Sequence, residues 1–293
     1  MSNSSFTMPS VEYLSYKGVP FPHVAVTEES LDQMENEFRF LNDDVAIVTY
    51  PKSGTIWMSE ILGLIRQKGD PAWTHSLPMW DRSPWIETSL GLKIALRSPP
   101  PRVLCSHVQF QLFPKSFLQS NAKIIYTLRN PKDVLISFYY FSMLSRLFKD
   151  PGTLEEFMEE FLSGNVAYGS WFDHVKGWMA LKGRPNFFYI TYEELWQDLR
   201  GSVEKICHFL GKELNSQQID SVVEYASFRK MKENKMSNFS LIPDHLMDHK
   251  RGTFMRKGIC GDWKNHLTVP QNKYFDRVYQ EKMWGMNTTF PWD

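Results

Sequence analysis

Cysteine is scarce in this 293-residue chain: Cys105, Cys207 and Cys260 are the whole complement, and none stands in a C-x-x-C pair. That argues against a disulfide scaffold and fits a reducing compartment. An excess of charge of one sign is also missing. Lys plus Arg and Asp plus Glu each total 33, so no net field draws the chain to nucleic acid or to an anionic membrane. No apolar run reaches the roughly 18 residues of a membrane span. The opening Met1–Phe6 has no basic stretch leading into an apolar one, so no secretory leader is predicted. Without export, the glycosylation sequons at Asn3, Asn238 and Asn287 carry no meaning. These absences predict a cytoplasmic protein with neither a membrane nor a nucleic-acid partner.

What is abundant is aromatic: 10 Trp, 12 Tyr and 21 Phe, enough for a sizeable core and an aromatic-lined pocket. The length allows one large or two small domains, and no internal repeat or low-complexity linker divides it. We read residues 1–12, rich in Ser and Asn, as a flexible N-terminal segment and 13–293 as one domain. The stretch from Tyr16 to Pro22 reads as a loop. Strands are predicted at Val45–Val48, Val103–Ser106, Lys123–Leu128 and Phe187–Thr191. Helical patterns cover about 154–162, 202–210 and 217–225. Asn130 is a good N-cap for a helix that opens with Pro131 and carries Asp133 in its first turn. Alternation of strand and helix predicts an α/β fold, a central and mostly parallel sheet flanked by helices. In such sheets ligands bind beyond the carboxyl ends of the strands. Lys52, His107, Arg129 and Tyr192 each lie just past a predicted strand.

The most informative stretch is Thr49-Tyr50-Pro51-Lys52-Ser53-Gly54-Thr55-Ile56-Trp57. It joins a buried strand to an amphipathic helix closed by Gly69. Such a loop aims free N–H groups and the positive end of the helix dipole at an anion. Gly54 allows close approach, Lys52 adds a charge, and Ser53 and Thr55 add hydroxyls. The loop is therefore a P-loop-like phosphate cradle, but not the nucleoside-triphosphatase one. There Lys follows the second Gly, and a Ser or Thr after it holds magnesium. Here Lys52 precedes Gly54, which points to a phosphate donor handled without a metal.

This loop resembles the donor signature of the cytosolic sulfotransferases. Arg256-Lys257-Gly258 through Gly261-Asp262-Trp263-Lys264-Asn265-His266 resembles that family's second signature. Tyr126–Val134 and Gly169–His174 match between them. Lys232–Asn238 and the closing Phe290-Pro-Trp-Asp293 resemble the hydroxysteroid branch. The resemblance runs from about Tyr16 to Asp293. It implies transfer of a sulfuryl group from 3′-phosphoadenosine 5′-phosphosulfate, as co-substrate, to the hydroxyl of a hydrophobic acceptor. Adenosine 3′,5′-bisphosphate is the product, and no metal takes part. It implies His107 as the base, Lys52 with Ser53 or Thr55 as stabiliser of the leaving oxygen, and Ser137 as a group that holds Lys52 back until the acceptor binds. It assigns Arg129, Ser137, Arg256, Lys257 and Gly258 to the 3′-phosphate. Trp57, Tyr192 and Phe228 go to the adenine, and Ile56, Ser227, Met231 and Lys232 complete the donor site. A base near neutrality suits a weakly nucleophilic hydroxyl. His174 and His266 read as structural.

Three departures stand out. Cys105 occupies a position where the phenol branch often has Lys, which suits an alcohol acceptor. Gln109 replaces a Pro. In the stretch Lys264, Thr268, Val269, which resembles the family's dimer signature, Lys273 stands where Glu is usual. A homodimer stays open, with its motif altered at Lys273. The acceptor pocket is expected beside Trp80, Trp85, Phe141 and the Leu241–Leu246 loop. Two rival readings are a kinase or other transferase using an adenine nucleotide, and a nucleotide-binding protein without catalysis. The missing magnesium-binding hydroxyl speaks against the first, and the presence of both Lys52 and His107 against the second.

Overall fold

The computed structural model describes residues 11–293. Residues 1–10 of the segment expected to be flexible, with the Asn3 sequon, lie outside the described residues. In chain order the elements are β1 (Tyr13–Tyr16), β2 (Val19–Pro22), α1 (Glu28–Asp32), β3 (Val45–Thr49), α2 (Thr55–Arg66), α3 (Met79–Arg82), α4 (Ser89–Arg97), β4 (Val103–Ser106), β5 (Lys123–Leu128), α5 (Pro131–Leu144), α6 (Leu154–Ser163), α7 (Trp171–Met179), β6 (Phe187–Thr191), α8 (Tyr192–Gln197), α9 (Leu199–Leu210), α10 (Ser216–Tyr225), α11 (Phe228–Glu233) and α12 (Val269–Met283).

Four strands form the central sheet in the order β4-β3-β5-β6, and every pairing is parallel. The chain leaves β3 toward β4 on one side and takes up β5 on the other. The carboxyl end of β3 is therefore the point where strand order reverses, the usual place for a ligand in such sheets. Alternate residues serve opposite faces. Ala46, Val48, Leu104, Ile124 and Tyr126 enter a large core with α5, α6 and α7, to which α12 adds Phe275 and Met283. Ile47, Cys105, Ile125 and Ile190 enter a second core with α2, α9 and α10. Both faces are covered, which is why the strand sequences read as continuous apolar runs. No helix among the described residues is long and apolar enough to cross a membrane.

One expectation is corrected. Tyr16–Pro22 is not a loop: β1 and β2 pair antiparallel around Lys17 and Gly18, both at positive φ (48° and 81°). That is the backbone a two-residue hairpin with right-handed twist demands. Pro20 and Pro22 hid the strand, because proline cannot donate to a ladder and is tolerated only at an edge. The hairpin is fastened from outside its own sequence, by burial of Phe21 and by the Tyr168 amide donating to the Pro20 carbonyl at 2.7 Å.

A buried ion pair ties α2 to the chain around Ser237. Arg82 donates to Glu60 at 2.9 Å and to the Ser237 hydroxyl at 3.0 Å, with both charged side chains 1% exposed. Removing one partner strands the other charge. Glu60→Ala is expected to lower the unfolding free energy by about 3–5 kcal/mol, read from guanidinium denaturation. A loss below 1 kcal/mol would contradict this account of the pair.

Candidate active site

The four strands end side by side, and each delivers one polar or charged side chain to a single cavity of about 510 Å³. In spatial order these are His107 after β4, Lys52 after β3, Arg129 after β5 and Tyr192 after β6.

The cradle follows from local geometry. Gly54 sits at the N-cap of α2 with φ +108°, a conformation that L side chains rarely adopt. A Cβ there would also stand 3.1 Å from the Tyr192 ring. No side chain caps this end of α2, so its first N–H groups are left for an anion. Lys52 has φ +69°. Its ammonium lies 4.1 Å from the centre of the Phe141 ring and 3.9 Å from that of Phe254. Burial, then the charges of Arg129 and Arg256, lower its pKa to about 7. Among the described residues no hydrogen bond joins Lys52 to Ser137; aromatic faces hold the ammonium instead.

His107 is fixed at both nitrogens. Nδ1 lies 2.9 Å from the Thr49 carbonyl and Nε2 lies 2.9 Å from the Trp85 indole nitrogen. A carbonyl only accepts and an indole N–H only donates. The imidazole is therefore neutral, protonated at Nδ1, with its lone pair at Nε2. Burial, and to a smaller extent the Lys52 charge, lower its pKa to about 4 against the pull of the Thr49 carbonyl. The His107 amide donates to Oε1 of Glu87, a carboxyl that burial pushes up to about 7.

At the other end Arg129 donates to the carbonyls of Lys52 (3.2 Å) and Ile259 (2.9 Å), bridging the cradle and the C-terminal loop. Its guanidinium lies 4.1 Å over the Tyr192 ring, and its buried Nε has no partner. Trp57 meets Tyr192 edge-on at 5.0 Å. The C-terminal loop is pinned to the first turn of α5: Asp133 accepts from the amides of Gly261 and Trp263 at 2.6 and 3.0 Å. Arg256 and Lys257 both reach Asp262, at 2.7 and 2.6 Å. Burial pushes the Asp262 carboxyl up, but hydrogen bonds from Lys257, Asn265 and Arg256 outweigh it and hold the group below the usual carboxylate range.

A protein-family model described as "Sulfotransferase domain" matches residues 42–287. The chain belongs to the sulfotransferase family. It is 53% identical over 282 residues to sulfotransferase 2B1 of Rattus norvegicus, covering 96% of this chain and 83% of that one. It is 50% identical over 281 residues to the 3-beta-hydroxysteroid sulfotransferase of Cavia porcellus, covering 96% and 98%. Among solved structures it resembles mouse sulfotransferase SULT7A1 complexed with PAP, with a TM-score of 0.80 and 33% identity, covering 94% of this chain and 96% of that one.

In this sulfotransferase the cavity gathers Lys52, Gly54, Thr55, Ile56, Trp57, Trp85, His107, Arg129, Ser137, Phe141, Tyr192, Ser227, Phe228, Met231, Arg256, Lys257 and Gly258. Three expected residues fall elsewhere. Ser53 turns inward: its amide closes a turn onto the Tyr50 carbonyl, and its buried hydroxyl has no partner. Lys232 lies on the exposed side of α11, while Phe228 and Met231, three residues apart, turn to the cavity. Trp80 stands a layer back, its ring edge-on to Phe239 at 5.8 Å. Phe239 and Phe254, stacked at 4.2 Å, supply the wall expected from Leu241–Leu246. Thr49, Glu87, Asp133 and Asp262 escaped the sequence reading. Thr49, Asp133 and Asp262 lie inside stretches that resemble the family's, with no role read for them there, and Glu87 carried no signal.

The state of His107 has a stability consequence. The unfolded imidazole titrates near 6.5, the folded one near 4, so between these values the unfolded chain binds more protons. Stability conferred by the neutral group is present above pH 6.5 and is lost as pH falls toward 4, by at most about 3 kcal/mol. The stabilities read from denaturation curves at pH 7.5, 5.5 and 4.5 should therefore spread less for His107→Gln than for the parent chain. Equal pH dependence of the two would contradict the shift.

Proposed function

We propose that this enzyme moves the sulfuryl group of 3′-phosphoadenosine 5′-phosphosulfate to the hydroxyl of a hydroxysteroid or a similar hydrophobic alcohol. The observation that carries the reading is the row His107, Lys52, Arg129 and Tyr192 along one sheet edge, with a base at one end and an anion clamp at the other. Several features fit the donor. The uncapped start of α2 and Lys52 suit the 5′-phosphosulfate. Arg129, Ser137, Arg256, Lys257 and the Gly258 backbone suit the 3′-phosphate, and Trp57, Tyr192 and Phe228 suit the adenine. PAP bound to mouse SULT7A1 and the hydroxysteroid named in the guinea-pig relative point the same way. Around His107 the walls are apolar, with Trp85, Phe141, Phe148, Tyr168 and Phe239, which suits a steroid body. Residues 13–293 act as one unit, and the reaction is cytoplasmic.

In the proposed step the acceptor hydroxyl gives its proton to Nε2 of His107 as its oxygen attacks sulfur. The bond from sulfur to the bridging oxygen breaks, and adenosine 3′,5′-bisphosphate leaves with the charge of that oxygen balanced by Lys52. Positioning and charge stabilisation supply most of the rate.

Three measurements test this reading. His107→Ala should abolish transfer while PAP binding by calorimetry stays within about twofold, since a positioned base is worth roughly 10²–10⁴. Substantial transfer by that variant would remove His107 from the role of base. Arg129→Ala should weaken PAP binding by about 2–3 kcal/mol through lost charge-assisted bonds. An unchanged dissociation constant would refute the clamp. The pH profile of kcat/KM reports the free enzyme. The base must be neutral, so the rate climbs as pH rises through about 4; Lys52 must be charged, so the rate declines as pH rises past about 7. A flat profile from pH 6 to 9 would discard the Lys52 assignment.

A further inference from the structure

One short segment grips His107 at both ring and backbone. Trp85–Glu87 runs extended beside β4. Trp85 forms a parallel bridge with Cys105, and the Ile86 amide donates to the Cys105 carbonyl at 3.0 Å. Residues two apart on extended chain face the same way. Trp85 accordingly donates its indole N–H to Nε2 of His107, and Glu87 accepts the His107 amide, each at 2.9 Å. The segment has little slack. The Thr88 hydroxyl donates to the Trp85 carbonyl at 2.9 Å, and the Ser30 hydroxyl donates to that of Glu87 at 3.1 Å. Gly91 packs so tightly that a Cβ would stand 2.0 Å from the Trp85 carbonyl carbon's oxygen.

The neutral imidazole has one lone pair, and the indole occupies it. While that bond stands, Nε2 cannot take a proton from anything else in the cavity. A hydroxyl that is to be deprotonated must donate to the same lone pair, and so must take the indole's place. Water would face the same barrier, and activated water is what would cleave the donor wastefully to sulfate and adenosine 3′,5′-bisphosphate. Resting on the reading of His107 as the base, we propose that Trp85 and Glu87 are positioning residues. The indole occupies Nε2 until an acceptor hydroxyl displaces it, which shields the donor from hydrolysis, and Glu87 holds the backbone of the base in place.

The hydrolysis assay needs no acceptor, and the transfer assay uses a hydroxysteroid. Release of labelled sulfate from 3′-phosphoadenosine 5′-phosphosulfate without acceptor should be about 10-fold or more faster in Trp85→Phe than in the parent enzyme, because a free base can then serve water. Adding His107→Ala to that variant should bring release back to the parental rate. Glu87→Ala should lower kcat for transfer about 10-fold with donor binding unchanged, and Glu87→Gln should restore it, since an amide oxygen still accepts the His107 N–H. A Trp85→Phe protein that binds PAP and hydrolyses donor at the parental rate would overturn the proposal, as would failure of Glu87→Gln to restore kcat. Should Trp85→Phe not bind PAP, the same assay on Trp85→Leu decides. If the faster hydrolysis survives His107→Ala, the assignment of the base falls instead; if Trp85→Phe gains nothing while His107→Ala is inactive in transfer, the proposal falls and the assignment of the base stands.

Discussion

Parallel alignment of four strands is the constraint on which the site depends. Because β4, β3, β5 and β6 all run the same way, their carboxyl ends share one edge, and the residue just beyond each end is brought into line with its neighbours. An antiparallel neighbour would send its carboxyl end to the far side of the sheet. The order along the edge also separates surroundings. His107 lies at the β4 end among apolar walls, Arg129 and Tyr192 lie toward β6, and Lys52 stands between them, just past the strand where the order reverses.

The same convergence crowds positive charge. Lys52 feels both Arg129 and Arg256, and burial adds to the cost of its ammonium. Each cation is held by something weaker than a phosphate: the Phe141 and Phe254 rings for Lys52, backbone carbonyls for Arg129, and Asp262 for Arg256 and Lys257. An incoming polyanion would relieve this repulsion, which is a physical reason for a site of this kind to prefer a doubly phosphorylated donor. The aromatic seat matters here, because ring faces stabilise an ammonium without neutralising it.

Local signals made most of the frame legible. The sequence alone predicts the four central strands at their observed places, with β3 one residue longer than read, because apolar runs bounded by loops are a local signature of strands buried on both faces. The start of α5 was equally clear, since Asn130 caps it by accepting from the Lys132 amide and Pro131 opens it. By contrast, α12 gave no periodic signal: only Phe275 and Met283 of its fifteen residues are buried. The β1–β2 hairpin was invisible for a different reason, being held by contacts with residues about 150 positions away.

What the sequence determined by itself was the cradle after β3, the four residues beyond the strand ends, and the two stretches that identify the family, because each is set by neighbours within a few positions. Tertiary structure alone decided what those residues touch. That Trp85 caps His107 while Trp80 lies behind Phe239, that Phe254 seats Lys52, and that Asp133 holds the C-terminal loop are all contacts between distant segments. Nothing in local chain chemistry favours one such pairing over another; the choice is made only when both faces of the sheet are packed and each buried polar group must find its partner.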